Sequence, residues 1–222
     1  KATAIWEAAK ECTEHPYLHR KAVKSHGLRV SVWEKVDEDT GEVRVITKQA
    51  LLVPIRDATK RVHSLQAIYP RKIGERDKDF LKHGAKAGLF YSFGKPVHME
   101  VSGVQRIVIL IGEGYATMAT AHEVTGHACI VAFDVGNLLA VGKVLRAKFP
   151  DAALVFLADN DQWTTAPINN PGVHHARAAA KAVGGLVAIP HFDATEGQEG
   201  DDGKLSGPTD FVARAFMESG QN

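Results

Sequence analysis

"ACIVAFDVGNLLAVGKVLRAKFPDAALVFLADND", Ala128 to Asp161, contains one complete turn of the rhythm on which the second half of this chain is built. ACIVAF is a short apolar, β-favouring run and reads as a buried strand. NLLAVGKVLRAKF then sets Leu138, Val141, Val144, Leu145 and Phe149 on one helical face, with Asn137 as the cap in front and Pro150 as the stop. ALVFLA is a second apolar strand, and it ends abruptly in Asp159-Asn160-Asp161. Strand, helix and strand in this space predict a parallel pair joined by a right-handed crossover.

Working outward, the same rhythm repeats. RIVILI (Arg106–Ile111) reads as a strand, and YATMATAHEVTG as a helix closed by Gly126. Beyond the DND triplet, VHHARAAAKAVGG is an Ala-rich helix ending at glycines, LVAI a further strand, and PTDFVARAFMES a last helix with Pro208 near its start. The resulting β-α-β-α-β-α-β-α order predicts an α/β domain with a Rossmann-like, mainly parallel sheet over 101–222. Ligands of such sheets gather at the carboxyl ends of the strands. Glu113 follows the first strand, and Asp159 and Asp161 follow the third, so three carboxylates meet at one edge if those two strands are neighbours. The competing explanation is local: Asp and Asn often follow strands because their side chains hydrogen-bond the next turn.

Residues 1–100 read as a smaller α+β module. Ile5, Trp6, Ala9 and Cys12 fall at helical spacing, and HPYLHRKAVKSHG reads as a second helix opened by Pro16 and closed by Gly27. Alternation in LRVSVWEKV, VRVIT, LLVPI and RVHSLQAIY, with the turn DEDTGE, predicts separate antiparallel strands. GERDKDFLKHGAKAGLFYSFG reads as a linking, binding loop, and the acidic, Gly-rich stretch His191–Gly207 as a solvated one.

The 222 residues are 45% hydrophobic and 24% charged, the balance of a globular chain rather than a disordered one. No apolar run reaches the roughly 20 residues that span a bilayer, and no signal-peptide layout opens the chain, so a cytoplasmic protein without a membrane partner is expected. A chain that starts at Lys1 reads as part of something longer. Two distant cysteines, Cys12 and Cys129, exclude a disulfide framework or a Cys-rich zinc site and read as core residues. The net charge of +1 conceals an asymmetry: residues 1–100 carry 19 Lys and Arg against 13 acids, and residues 101–222 carry 8 against 13. Within the first part, Arg56–Lys95 holds ten cations against four acids, a pattern suited to a polyanion.

The acids have a specific chemistry open to them. Mg²⁺ is bound by a few carboxylates together with substrate phosphates, and a pair of such ions roughly 3.5–4 Å apart serves phosphoryl transfer. Residues i and i+2 of an extended segment point the same way, so Asp159 and Asp161 can share an ion while Asn160 faces elsewhere. Gly112 and Gly114 are expected to let the chain turn tightly around Glu113.

EGYAT after an apolar strand, then VAFDVGNL, then an apolar strand ending in DND, resembles the Toprim domain shared by topoisomerases, bacterial-type primases and some nucleases. HPYLHRKAV, LLVPIRD, SLQAI and KDFLKHGAKAGLFYSFG, in that order, narrow the resemblance to the RNA-polymerase core of DNA primases of conjugative plasmids and phage satellites. The resemblance implies a basic primase subdomain (1–100) before a Toprim catalytic domain (101–222). It implies catalytic Mg²⁺ or Mn²⁺ on Glu113, Asp159 and Asp161, with Asp210 as a further ligand. Arg20, Lys21, Lys78, Lys82 and Lys86 become candidates for the nucleic acid and nucleotide phosphates. The implied activity is that of a nucleotidyltransferase making short RNA primers from ribonucleoside triphosphates on single-stranded DNA, beside helicase or other replication and transfer domains.

Departures and rivals bound this reading. Thr117 stands where replicative primases often carry a further acid, Gln66 and Ile68 stand near an expected Arg, and GPTDFVA keeps only Asp210 of a DFND-like motif. A Toprim nuclease would use the same acids, and a noncatalytic nucleic-acid-binding module would not need them. A topoisomerase needs a tyrosine nucleophile in a separate domain, and a D-x-D glycosyltransferase would leave Glu113 and the basic half without roles. HEVTGH is not a zinc motif, because His122 and His127 lie five apart and so about 140° from facing one metal on a helix. The adjacent His174 and His175 are expected to point apart. Trp6 and Trp33 read as core, with Phe80 and Tyr91 as possible stacking platforms.

Overall fold

In the second half the apolar runs do form strands, and the helices between them give the crossovers their direction. The computed structural model describes residues 1–101, 103–160 and 163–189, which group into two units, Lys1–Tyr91 and Ser92 onward.

In the first unit, α1 (Ala2–Ala8) and β1 (Lys10–Glu11) precede α2 (Pro16–Lys21), followed by β2 (Arg29–Val36), β3 (Val43–Arg56), β4 (Val62–Ile73) and β5 (Arg76–Phe80). The five strands form one antiparallel sheet in sequence order. Trp6 on α1 packs with Trp33, Leu52, Leu65, Ala67 and Tyr69 on one face of that sheet.

Four expectations are corrected here. The first helix ends at Ala8, because Lys10 and Glu11 leave it to pair with Val30 and Arg29; Cys12 is therefore off the helix, its N–H donating to Leu28 O. The second helix stops at Ala22, in the left-handed conformation at φ 51°, and not at Gly27. VRVIT and LLVPI are one continuous 14-residue strand, β3, because the pairing to β2 absorbs Lys48 and Gln49 in a register shift between Thr47 and Ala50 and then resumes. Two pieces of the expected linking loop form strands, β5 and β6 (Tyr91–Phe93). Among residues the sequence left unassigned, His15 starts α2: its Nδ1 accepts the Tyr17 N–H while Nε2 lies 3.0 Å from Gln49 O.

The second unit contains β7 (Val97–Val101), β8 (Val104–Gly112), α3 (Tyr115–Thr125), β9 (Ala128–Val131), α4 (Leu138–Lys148), β10 (Ala153–Leu157), α5 (Pro171–Val183) and β11 (Leu186–Ala188). Its sheet has the order β11-β10-β8-β9-β6, with β8, β9, β10 and β11 parallel. The antiparallel β7, which periodicity did not reveal, pairs with the first half of β8. Leu110, Ile111, Leu154 and Phe156 are fully buried in this sheet, the near-continuous apolar content of strands covered on both faces. Gly126 ends α3 at φ 71°, as expected of a glycine in that position.

Asn137 does precede α4, but its side chain does not cap the helix. Asn137 Nδ2 donates instead to Ala132 O at 2.8 Å, and the Asp134 carboxylate receives the Asn137 N–H, so a 3-10 turn at Val135–Asn137 leads into α4. The final helix expected at PTDFVARAFMES and the loop His191–Gly207 lie outside the described residues.

Candidate metal centre and nucleic-acid surface

Parallel pairing decides where the acids emerge. β8 and β10 are direct neighbours, with Ile111 opposite Phe156, so both strands reach their carboxyl ends at nearly the same level. Gly112 O and Glu113 O accept from Ala132 N and Phe133 N at 2.8 and 3.0 Å, which holds the backbone of Glu113 in the ladder with β9. On the other side, Ala158 N donates to Ala188 O at 2.9 Å, so Asp159 is the first residue beyond the sheet. Glu113 and Asp159 are both half-buried at this edge.

Asn160 takes a separate path. Its Oδ1 accepts from Asn170 Nδ2 at 2.7 Å, while Asn170 Oδ1 caps α5 through the Val173 N–H. The amide of the DND triplet thus ties the strand end to the start of the next helix, and it is the residue that obeys the local, turn-forming explanation. Asp161 and Asp210 lie outside the described residues. Among the described residues no three His, Cys, Asp or Glu side chains gather closely enough to hold a metal. Glu113 and Asp159 are the two described members of the candidate set, and their hard oxygen donors suit Mg²⁺ or Mn²⁺.

The glycines beside Glu113 act differently from expectation. A Cβ on Gly112 would sit 2.5 Å from Met118 Sδ and 3.4 Å from Leu157 O, so this glycine allows α3 to seat closely on the β8–β10 pair. Gly114, at φ −95° and ψ 143°, is in extended backbone that any residue adopts. A third acid, Asp134, follows β9 at this edge and was not singled out from the sequence; its carboxylate caps the 3-10 turn. The residue before it, Phe133, is buried and holds φ 74°, a conformation that costs a bulky side chain about 1–2 kcal/mol. Thr117 is half-buried on the first turn of α3.

The histidine pairs do not build a metal centre. His122 Nδ1 lies 2.7 Å from His127 O, and its ring meets Phe93 edge-on at 5.5 Å. The rings of His174 and His175 do not point apart: they lean together in an edge contact at 5.4 Å, because long side chains span the angle between adjacent helical positions.

In the first unit the candidate cations fall into two groups. Lys78 and Phe80 alternate onto one face of β5, opposite Ile68 and Gln66 of β4, and Lys86 Nζ stands 4.5 Å from the Phe80 ring centre. Arg20 donates to Pro70 O at 3.1 Å, further along β4, and Lys21 is exposed at the end of α2. Lys82, in contrast, is paired: its Nζ lies 2.6 Å from Glu38 Oε1, which also meets His83 Nε2 at 3.0 Å. The hydrogen bonds from Lys82 and then His83 hold the Glu38 carboxyl down at about 2. The intervening Asp79 faces the other side, within reach of Lys35 Nζ (2.6 Å), the Tyr69 hydroxyl (3.3 Å) and Trp33 Nε1 (3.5 Å). Burial would raise its pKa, but the Lys35 ammonium, the Trp33 indole N–H and the Phe80 backbone N–H together outweigh that and lower it.

Trp6 and Trp33 are buried as expected. Tyr91, considered as a stacking platform, is buried as well, its hydroxyl donating to His26 O at 2.6 Å. Both cysteines are buried and free, and burial raises the Cys129 pKa far above that of an ordinary thiol.

No family model matches the chain. Over 178 residues it is 36% identical to a DNA primase TraC of Escherichia coli, and over 149 residues 38% identical to a second protein of that name and organism. It is a relative of the TraC primases. The matches cover 80% and 67% of this chain but only 15% and 10% of those relatives, so it corresponds to a small segment of them. Its fold is that of primase catalytic cores. A DNA primase domain from Pseudomonas aeruginosa superposes with a TM-score of 0.56 at 15% identity, over 92% of this chain and 70% of that one. A DnaG primase catalytic domain bound to single-stranded DNA gives 0.55 at 11% identity, over 91% and 70%. No described helix of this TraC relative is long and apolar enough to cross a membrane.

Proposed function

We propose that this TraC-like chain is the catalytic core of a DNA primase, joining ribonucleotides into short primers on a single-stranded DNA template. The observation that carries the reading is the emergence of Glu113 and Asp159 at the carboxyl ends of neighbouring parallel strands, within a chain related in sequence to TraC. In the reaction a 3′-hydroxyl oxygen attacks the α-phosphorus of an incoming ribonucleoside triphosphate. The α–β phosphoanhydride bond breaks, pyrophosphate leaves and the hydroxyl proton passes to solvent.

Glu113, Asp159 and Asp161 would hold Mg²⁺ or Mn²⁺, with Asp210 as a further ligand. Such an ion, when bound, offsets the charge that develops on the phosphate oxygens. The rest falls to the chain itself. The sheet edge fixes the carboxylates, and Lys78, Lys86, Arg20 and Lys21 of the basic unit attract the template and the nucleotide phosphates. Lys82 joins them once Glu38 releases it. The Lys1–Tyr91 unit thus handles polyanions and the second unit carries the catalytic acids, a division that accounts for the opposite charge balance of the two halves. Helicase or transfer functions would belong to segments of a longer protein.

The test incubates the protein with single-stranded DNA, four ribonucleotides and Mg²⁺ or Mn²⁺. Short RNA products are expected. Cleavage of the DNA without synthesis would favour a Toprim nuclease, and binding without either reaction a noncatalytic module.

A further inference from the structure

Arg56, at the end of β3, is half-buried, and its Nε is fully buried without a hydrogen-bond partner. Among the described residues no acceptor meets its other guanidinium N–H groups and no carboxylate pairs with it. A buried arginine ordinarily has an oxygen partner, because a desolvated charge without one is strongly unfavourable. The surroundings of Arg56 are aromatic and cationic instead. Its Cζ lies 5.1 Å from the centre of the Trp6 indole and 5.9 Å from that of Tyr91. Arg29, also half-buried, lies 4.8 Å from the same indole. Burial lowers the Arg56 pKa, Tyr91 opposes that, and Arg29 adds to it.

We propose that Arg56, held against Trp6 and backed by the charge of Arg29, is a binding site for a phosphate group of a nucleic acid or nucleotide. Packing against an indole fixes the plane of a guanidinium and leaves its two Nη groups for a bidentate oxyanion. Arg29 is committed elsewhere, its Nη1 donating to Trp6 O at 2.8 Å, so it supplies field rather than a competing fork. An oxyanion on the Nη groups satisfies the donors left without an acceptor and offsets the excess charge of two guanidinium groups on one indole, while the buried Nε takes no part. The assignment of the phosphate to DNA or nucleotide rests on the primase reading; the anion site itself does not.

NMR of the side chains of ¹⁵N-labelled tryptophan tests this in metal-free buffer at fixed ionic strength. Of the three indoles, Trp6 is the reporter and Trp163 the internal control, since Trp33 shares the core cluster of Trp6, and the probes are inorganic pyrophosphate and an oligothymidylate. Saturable movement of the Trp6 signal is expected. Pyrophosphate acting alone would indicate a nucleotide phosphate as the natural source, and the oligonucleotide acting alone the DNA backbone. Arg56→Met should weaken binding by about 10- to 100-fold, the usual range for a hydrogen bond to a charged group. Arg56→Lys should restore only part of that, because an ammonium lacks the fork. Free Arg56→Met should melt no lower than the parent protein. The proposal is overturned if neither probe moves Trp6, if both variants bind like the parent, or if Arg56→Met melts well below the parent and Arg56→Lys restores it. No readout involves synthesis, so an inactive protein that binds leaves this site standing, and an active one that does not bind removes this site alone.

Discussion

The two units hold their charges in opposite ways. At the edge of the parallel sheet, Glu113 and Asp159 project from strand ends whose backbone is fixed by ladder hydrogen bonds on both sides. On the antiparallel sheet, the cations ride on long side chains, and some of them are already engaged: Lys82 by Glu38, Lys35 by Asp79, and Lys86 over Phe80. A cation such as Mg²⁺ requires oxygens at set distances, whereas a phosphate backbone accepts any sufficient density of positive charge. Rigid placement suits the first task, and interchangeable side chains suit the second.

Substitution should break this contrast most sharply at the acids. Glu113→Gln and Asp159→Asn are each expected to reduce primer synthesis on the order of 10²–10³-fold while leaving the melting temperature and circular dichroism unchanged. Near-parental synthesis by either would remove it from the site. Next in size is Gly112→Ala, whose methyl group would be driven into Met118 and should destabilise the second unit by about 1–3 kcal/mol. Trimming the neighbour with Met118→Ala in the same chain should recover part of the loss, and urea denaturation of the single and double variants measures it.

In the basic unit single changes should be mild. Lys86→Ala is expected to weaken binding to single-stranded DNA several-fold and to reduce the salt dependence by about 0.7 in log–log slope, one phosphate contact's share. Lys82→Ala should do less, because Glu38 already neutralises it, and Glu38→Gln should strengthen binding at low salt. Equal effects of Lys82→Ala and Lys86→Ala would show that the hairpin contact does not restrain Lys82. The smallest effect concerns pH. Asp79 has a lowered pKa in the folded protein, so its contribution is complete above about pH 4, the unfolded value, and fades as pH falls through the lower folded one. Asp79→Asn should flatten that part of the stability–pH curve.

The sequence was most legible where a period or a stop residue acts alone. The parallel strands, the α3 stop at Gly126 and the position of Glu113 and Asp159 at strand carboxyl ends followed from apolar runs and chain order, whereas the pairing that makes β8 and β10 neighbours was left open by the sequence. It was least legible where tertiary pairing overrides local preference. Pairing to β2 resumes after a register shift at Lys48 and Gln49 and so keeps β3 one strand, and the β1–β2 pairing ends the first helix before Cys12. Asn137 has the composition of a cap, yet a carbonyl five residues back claims its side chain. Arg56 could not be distinguished from any other cation of the basic stretch, because what sets it apart is a missing partner, and absence leaves no mark in a sequence.

The length of β3 has one more consequence. Its first residues, Val43 to Thr47, are paired to β2 alone, whereas from Leu51 onward the strand is paired to β4, with β2 still on its other side at Leu51 and Leu52. A single strand thus runs on two clocks. Amides of the ribbon should exchange with solvent through local fraying, and those from Leu51 onward only when the whole unit opens. Hydrogen exchange along these 14 residues would place the step between the two regimes close to Ala50, the position at which a protruding hairpin becomes the centre of a core.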